Sequence, residues 1–289
     1  MPVTKAQRLA YQRKLRDIAK QARNIEDNTY RAMSQALKSY WSNLNRELAS
    51  LATDRWGRMT VHQMGQIKDY CASSIPALQA QLQEILKSGQ SQIWELGTKT
   101  AIDSLSALGL QIGGAPIFSP EQFKVATAFS ADLISNVTSD MLGKINAQLG
   151  LAALGGKTPF DAMKGIEEIL GIKTDKGVAY RAERIYRTEV NRIYSIANRS
   201  QIEKLGEEYG ERLLHGWIAA EDERTRETHL EAHERYSPQA GEPIPYNEPF
   251  IIRRPGGGED RMMCPLDPAG SPENTINCRC QEVILTAKD

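Results

Sequence analysis

The chain has 289 residues, 40% of them hydrophobic and only 7% aromatic, and its 36 basic and 36 acidic side chains leave no formal net charge. That length allows two modest domains, or one domain with a long helical extension. No run of about 18 apolar residues occurs, so no membrane span is expected. The start has no apolar stretch behind its charges, so no signal peptide is expected, and four cysteines are too few for a disulfide framework; synthesis in a reducing cytoplasm follows.

The charge is unevenly spread. Residues 1–60 hold 12 Lys/Arg and 5 Asp/Glu, a net of +7, and the remainder is −7. Arg8, Arg13, Lys14, Arg16, Lys20 and Arg23 are therefore candidates for contact with DNA phosphates or an acidic surface. The plainer reading is a solvated helix face.

In chain order, residues 5–55 read as a helix. Tyr30, Met33, Leu37, Tyr40/Trp41, Leu44, Leu48 and Leu51 recur at steps of three and four. Trp56-Gly57 suggests an interruption. Met64, Ile67 and Tyr70/Cys71 resume the period, Pro76 opens a new segment, and Lys87-Ser88-Gly89 reads as a stop. Ile93, Leu96, Ile102, Leu105 and Leu108 make a further helix, and residues 109–118 form a break. Ser119-Pro120-Glu121-Gln122 starts a helix expected to run to about Gln148. A linker follows from Leu149. Thr158-Pro159 repeats the start signal, and Gly171 ends that short helix. A last long helix is expected from Asp175 to about Glu208, with Gly206 and Gly210 bracketing its end.

After Glu211 the texture changes. Eight prolines between Ser237 and Pro272 exclude regular helix there. Short strands are expected at 213–219, 250–253 and 281–285, with Val283 and Leu285 alternating against polar neighbours. Gly256-Gly257-Gly258 reads as a hairpin tip. The expected fold is mainly α: a long helical amino-terminal region followed by a small α+β carboxyl-terminal module. The expected divisions are a helical region at 1–149, a helical connector docking on the module at 150–210, and the module at 211–289.

Three of the four cysteines and three of the four histidines fall between His215 and Cys280. A short helix over 224–235, capped by Asp222, would place His229 and His233 on one face. The zinc-protease pattern is excluded because Leu230, not glutamate, follows His229. His229 (or His233), Cys264, Cys278 and Cys280 could form a four-ligand set, which would be a structural zinc site because it leaves no open position. The alternative is that the thiols are small buried hydrophobes. Asp222, Arg224, Arg226 and His229 could instead serve a metal- or His-dependent nuclease or transferase acting on nucleic acid, with His as acid or base and Arg on phosphate. They could also form an ion network stapling a loop-rich domain, joined by Arg187 and Glu189 from the preceding helix.

The order Arg187-Thr188-Glu189, Trp217, Asp222-x-Arg224-Thr225-Arg226-x-x-His229, Pro265-x-Asp267-Pro268 and Asn277-Cys278-Arg279-Cys280 resembles the phage head-morphogenesis family, the minor head proteins similar to the F protein of phage Mu. The resemblance covers roughly residues 150–285. It implies a virion protein of low copy number, assembled in the host cytoplasm and placed at the portal vertex or capsid interior. It implies a role in head assembly and in DNA packaging or ejection, and no established enzymatic activity. Implied partners are the portal protein, scaffold or major capsid protein, and packaged double-stranded DNA. Some relatives carry toxin domains; this chain, ending at Asp289, is expected to have none. Arg187, Glu189, Trp217, Asp222, Arg224, Arg226 and Asn277 are together expected to form a structural network. Two departures stand out: Cys264 replaces a residue that is often apolar, and the Asp-Gly turn expected after the motif histidine is missing.

Overall fold

The computed structural model describes residues 4–50, 60–110, 112, 120–153, 157–171, 177–220 and 222–287. Five helices come first: α1 (Lys5–Ser50), α2 (Val61–Ala107), α3 (Pro120–Ala153), α4 (Pro159–Leu170) and α5 (Val178–Tyr209). A single 3-10 turn leads into β1 (Leu213–Ile218). Then come α6 (Glu227–Tyr236), β2 (Ile244–Pro245), β3 (Phe250–Arg253), β4 (Glu259–Met262), α7 (Pro272–Thr275) and β5 (Gln281–Thr286). The expected class, long helices followed by a small module with a few antiparallel strands, is what the protein shows.

Several local expectations need correction. Neither Pro76 nor Gly89 ends a helix, since α2 runs through both for 47 residues. Ile75, Leu78, Leu82, Leu86 and Ile93 are at most 4% exposed, so one buried stripe crosses the whole stretch. Burial on that scale outweighs the roughly 3 kcal/mol and 1 kcal/mol that proline and glycine cost inside a helix. For the same reason α3 passes the presumed linker at Leu149, which is fully buried, and ends at Ala153. Gly206 lies inside α5, where the Tyr246 ring packs against it. α6 starts at Glu227 behind Arg226, not behind a capping Asp222. Asp222 instead closes a tight turn, accepting from the Arg224 N–H and the Thr225 hydroxyl. β2 and β4 were not expected. The interruption at Trp56-Gly57 and the cap at Ser119 lie outside the described residues.

Other signals read directly. Thr158 caps α4 by accepting from the Asp161 N–H at 3.1 Å. Gly171 ends α4 at φ 67°, a left-handed turn that glycine adopts without a Cβ penalty. β3 and β4 pair as an antiparallel hairpin around the glycine tip.

The chain forms two compact units. One comprises residues 27–88 and 127–186, and its described elements are all helices. Within it α2 meets α3 through a polar ladder: Thr138 donates to Gln79, and Gln83 donates to Ser135 and to the Ala131 carbonyl. Arg181 pairs with Asp140.

The other unit comprises residues 1–26, 89–126 and 187–289 and holds every strand among the described residues. Its main sheet has the order β2-β1-β5, antiparallel throughout. The β1–β5 register puts Leu213, His215 and Trp217 on one face with Thr286, Ile284 and Glu282. Two cores meet that face. Leu213 and Ile284 join Tyr11, Ala101, Leu105, Leu108, Ile202 and Leu205. Trp217 joins Tyr236, Phe250, Ile252, Met262, Cys278 and Cys280. β5 is an edge strand, and its outward carbonyls are not left bare. Tyr11 donates its hydroxyl to the Ile284 oxygen at 2.8 Å, and Asn198 donates its amide to the Glu282 oxygen at 3.1 Å.

Candidate metal centre and its supporting network

His229 sits in the first turn of α6, and Cys278 and Cys280 sit at the entry to β5. Their ligand atoms lie within 4.8 Å of one another, and all three residues are buried. His229 Nδ1 is 3.3 Å from the Cys280 sulfur and 3.6 Å from the Cys278 sulfur. A tetrahedral zinc with its usual bond lengths would hold an imidazole nitrogen and a thiolate about 3.5 Å apart. The spacing therefore fits one metal ion between them. The donor set fits too, since neutral imidazole and thiolate are what zinc selects. The Trp217 ring stands edge-on to the His229 ring at 5.5 Å and closes one side. Burial alone would raise Cys278, but hydrogen bonds from Cys280 and His229 bring it well below the ordinary thiol range. Burial drives Cys280 well above that range, and the Cys278 thiolate beside it adds to the rise. The group could hold a metal ion.

Cys264 is buried but does not belong to this group. Burial, then the carboxylates of Glu282 and Asp267, push its thiol up. His233 turns its Nδ1 to the Ala219 N–H at 3.3 Å and is likewise outside the group.

Three motif contacts aim the two cysteines. Asn277 has φ 57°, a left-handed conformation that asparagine tolerates better than other non-glycine residues. Its N–H donates to the Thr188 hydroxyl at 3.0 Å, tying the turn to α5. Arg226 donates to the Ile276 carbonyl on the other side of the turn. Arg279, between the cysteines, grips Asp222 with both arms of its guanidinium. That grip holds the Asp222 carboxyl down at about 2.

The other candidates are placed as follows. Arg187 pairs with Glu26 at 2.9 Å, a partner on α1 that no motif announces. Glu189 pairs with Arg192 at 3.2 Å, and burial raises its carboxyl. Trp217 is fully buried, 5.5 Å from the Phe250 ring. Arg224 is exposed, and among the described residues only its backbone N–H is engaged, with Asp222. Of the basic residues on α1, Arg8, Arg13, Arg16, Lys20 and Arg23 are exposed, while Lys14 is paired with Asp103 at 2.8 Å.

Residues 151–283 match the family model described as Phage Mu protein F like protein. This region is similar to the phage Mu F-like proteins. No curated protein and no solved structure matches the chain. Every motif residue that aims the cysteines, from Thr188 to Arg279, falls within the Mu F-like region.

One cluster in that region gave no motif signal. Glu282 is buried with its side chain fully enclosed, facing Arg199 at 3.1 Å and His215 Nδ1 at 2.7 Å. His215 turns its Nε2 to the Glu248 carbonyl at 2.9 Å. The available clue was a glutamate at an inward position of a strand, directly opposite a strand that carries a histidine two residues from Trp217.

Proposed function

We propose that the protein is a phage minor head protein, bound at the portal vertex or capsid interior and acting in head assembly and in DNA packaging or ejection. The family match over residues 151–283 carries this reading. The side-chain chemistry supports it. Asp222, Arg226 and Asn277 are engaged in holding one turn, and His229 faces two buried thiols. Such a region serves as a rigid docking block. Structural zinc bound by His229, Cys278 and Cys280 would fasten α6 to the start of β5 and neutralise the thiolate charge that burial otherwise penalises.

The second element of the proposal is DNA contact by α1. At about 100° per residue, Arg13, Lys20 and Arg23 fall within an arc of about 80°. Tyr11, Ile18 and Ala22, all buried, lie on the far side of the helix. Exposed cations in such a row suit phosphate contacts without base readout. Partners under this reading are the portal protein, scaffold or major capsid protein, and packaged DNA.

The deciding experiment is quantitative mass spectrometry of gradient-purified proheads and virions, with the portal protein as internal standard. A few copies per portal ring in both particles is the expected result. A protein confined to the free lysate would overturn the reading.

A further inference from the structure

One carboxylate of α1 lies on its buried face. Glu26 is 4% exposed, whereas Asp17, Asp27 and Glu47 on the same helix are exposed. Burying a carboxylate is costly unless cations attend it, and two guanidiniums do. Arg187 on α5 pairs with Glu26 at 2.9 Å, with both side chains largely enclosed. The Asn191 amide, one turn further along α5, donates to the same carboxylate at 3.5 Å. Arg279 is drawn to it as well. Asp222 does most to keep that guanidinium charged against its partial burial, and Glu26 adds to the hold across space.

Both cations lead to the thiols. Thr188, next to Arg187, accepts the Asn277 N–H at 3.0 Å, and Asn277 precedes Cys278. Arg279 lies between Cys278 and Cys280 in the chain. A carboxylate well outside residues 151–283 thus steadies the cysteine turn from two directions. Such support bears on metal affinity, because ligands already held in place lose little freedom when the ion binds. Removing the outer partners of a metal's ligands costs roughly 10–100-fold in affinity.

We propose that Glu26 is a positioning residue for the metal centre, so that metal binding at His229, Cys278 and Cys280 is coupled to the docking of α1. The inference rests on the metal reading of those three residues. Coupling is reciprocal: if Glu26 raises metal affinity, the metal tightens the hold on Glu26 by the same factor.

The test uses the full chain, reduced and stripped of metal, with zinc titrated against a fluorescent chelator. The unaltered protein should take up about one zinc per chain. Glu26→Gln keeps shape, removes charge and should weaken zinc binding about tenfold. With cobalt(II) as probe, both proteins should show the same thiolate-to-metal absorption, since no ligand has changed. Lys14→Ala loosens a different α1 contact, the pair with Asp103, and should leave zinc affinity unchanged. A second measurement needs no variant: zinc should slow amide exchange at residues 22–26 of the unaltered protein. Equal zinc affinity with and without the Glu26 charge overturns the coupling and leaves the metal centre standing. So does exchange at residues 22–26 that ignores zinc. An equal loss in Lys14→Ala overturns it too, because general loosening of α1 would then explain the effect. An unaltered protein that takes up neither zinc nor cobalt overturns the metal reading, and the inference with it.

Discussion

Glu282→Gln probes the least forgiving point of the strand-bearing unit. The substitution keeps shape and removes charge. Arg199, whose side chain is 9% exposed, would keep only Glu203, whose side chain is 60% exposed and therefore well screened. His215, with a fully buried side chain, would lose its carboxylate acceptor. Arg199 and His215 Nδ1 both meet the same oxygen, Oε1, so an amide oxygen there still accepts, but it carries no charge to balance the buried guanidinium. Removing one partner from a buried ion pair costs about 3–5 kcal/mol. The exposed Glu203 offsets part of that, so about 3 kcal/mol is the expected loss. Amide hydrogen exchange isolates the effect from the helical unit. Protected amides of β1 and β5 should exchange on the order of a hundredfold faster, the rate equivalent of that loss. A rise below about tenfold would refute the argument that this cluster holds the sheet. Replacing Arg199, His215 and Glu282 together by apolar residues of similar volume should recover much of the stability, because it strands no charge.

Purified protein should carry about one zinc per chain by elemental analysis, and chelation should lower the melting temperature. Cys278→Ser and His229→Ala should each reproduce that drop; a chelator-insensitive melting point in metal-containing protein would refute a structural role. Asn277→Gly should be nearly neutral, whereas Asn277→Val should cost about 1–2 kcal/mol in urea unfolding, because a β-branched residue is strained at φ 57°. Asp222 is held below its ordinary value, so its contribution is fully present above about pH 4 and is lost as pH falls toward 2. Asp222→Asn should flatten the acid limb of the stability curve in that window, and an unchanged limb would show that the Arg279 grip contributes nothing to stability in solution. Its partial exposure makes the effect small.

Much of the fold was legible wherever one signal dominated. Thr158-Pro159 and Gly171 bound α4 because caps act locally. The extent of α2 was not legible, because Pro76 and Gly89 are local signals overridden by a stripe that is buried only once the fold forms. β4, Glu-Asp-Arg-Met in sequence, has no apolar alternation to show; it is a strand because it pairs with β3. β5 was located, but only one of its faces was read. Val283 and Leu285 stood out as the apolar side, and Val283 is buried and Leu285 packs on a core, yet Glu282 and Ile284 on the other face are buried as well. A carboxylate can occupy that face only because Arg199 and His215, from two other elements, arrive beside it. No single-segment pattern encodes such a meeting. In the candidate site, His229, Cys278 and Cys280 could be grouped from sequence because thiols and imidazoles are few. Cys264 has the same chemistry, and only the fold shows that it lies outside that group.

The hydrogen bond from Tyr11 to the Ile284 carbonyl joins residues 273 positions apart. It sets a timetable for synthesis. At elongation rates of about 5–20 residues per second, roughly 14–55 s separate the making of its two ends. Throughout that interval Tyr11, Ile18 and the start of α1 have no sheet to cover, so their apolar face stays available to any chaperone or assembly partner that reaches the nascent chain before β5 does.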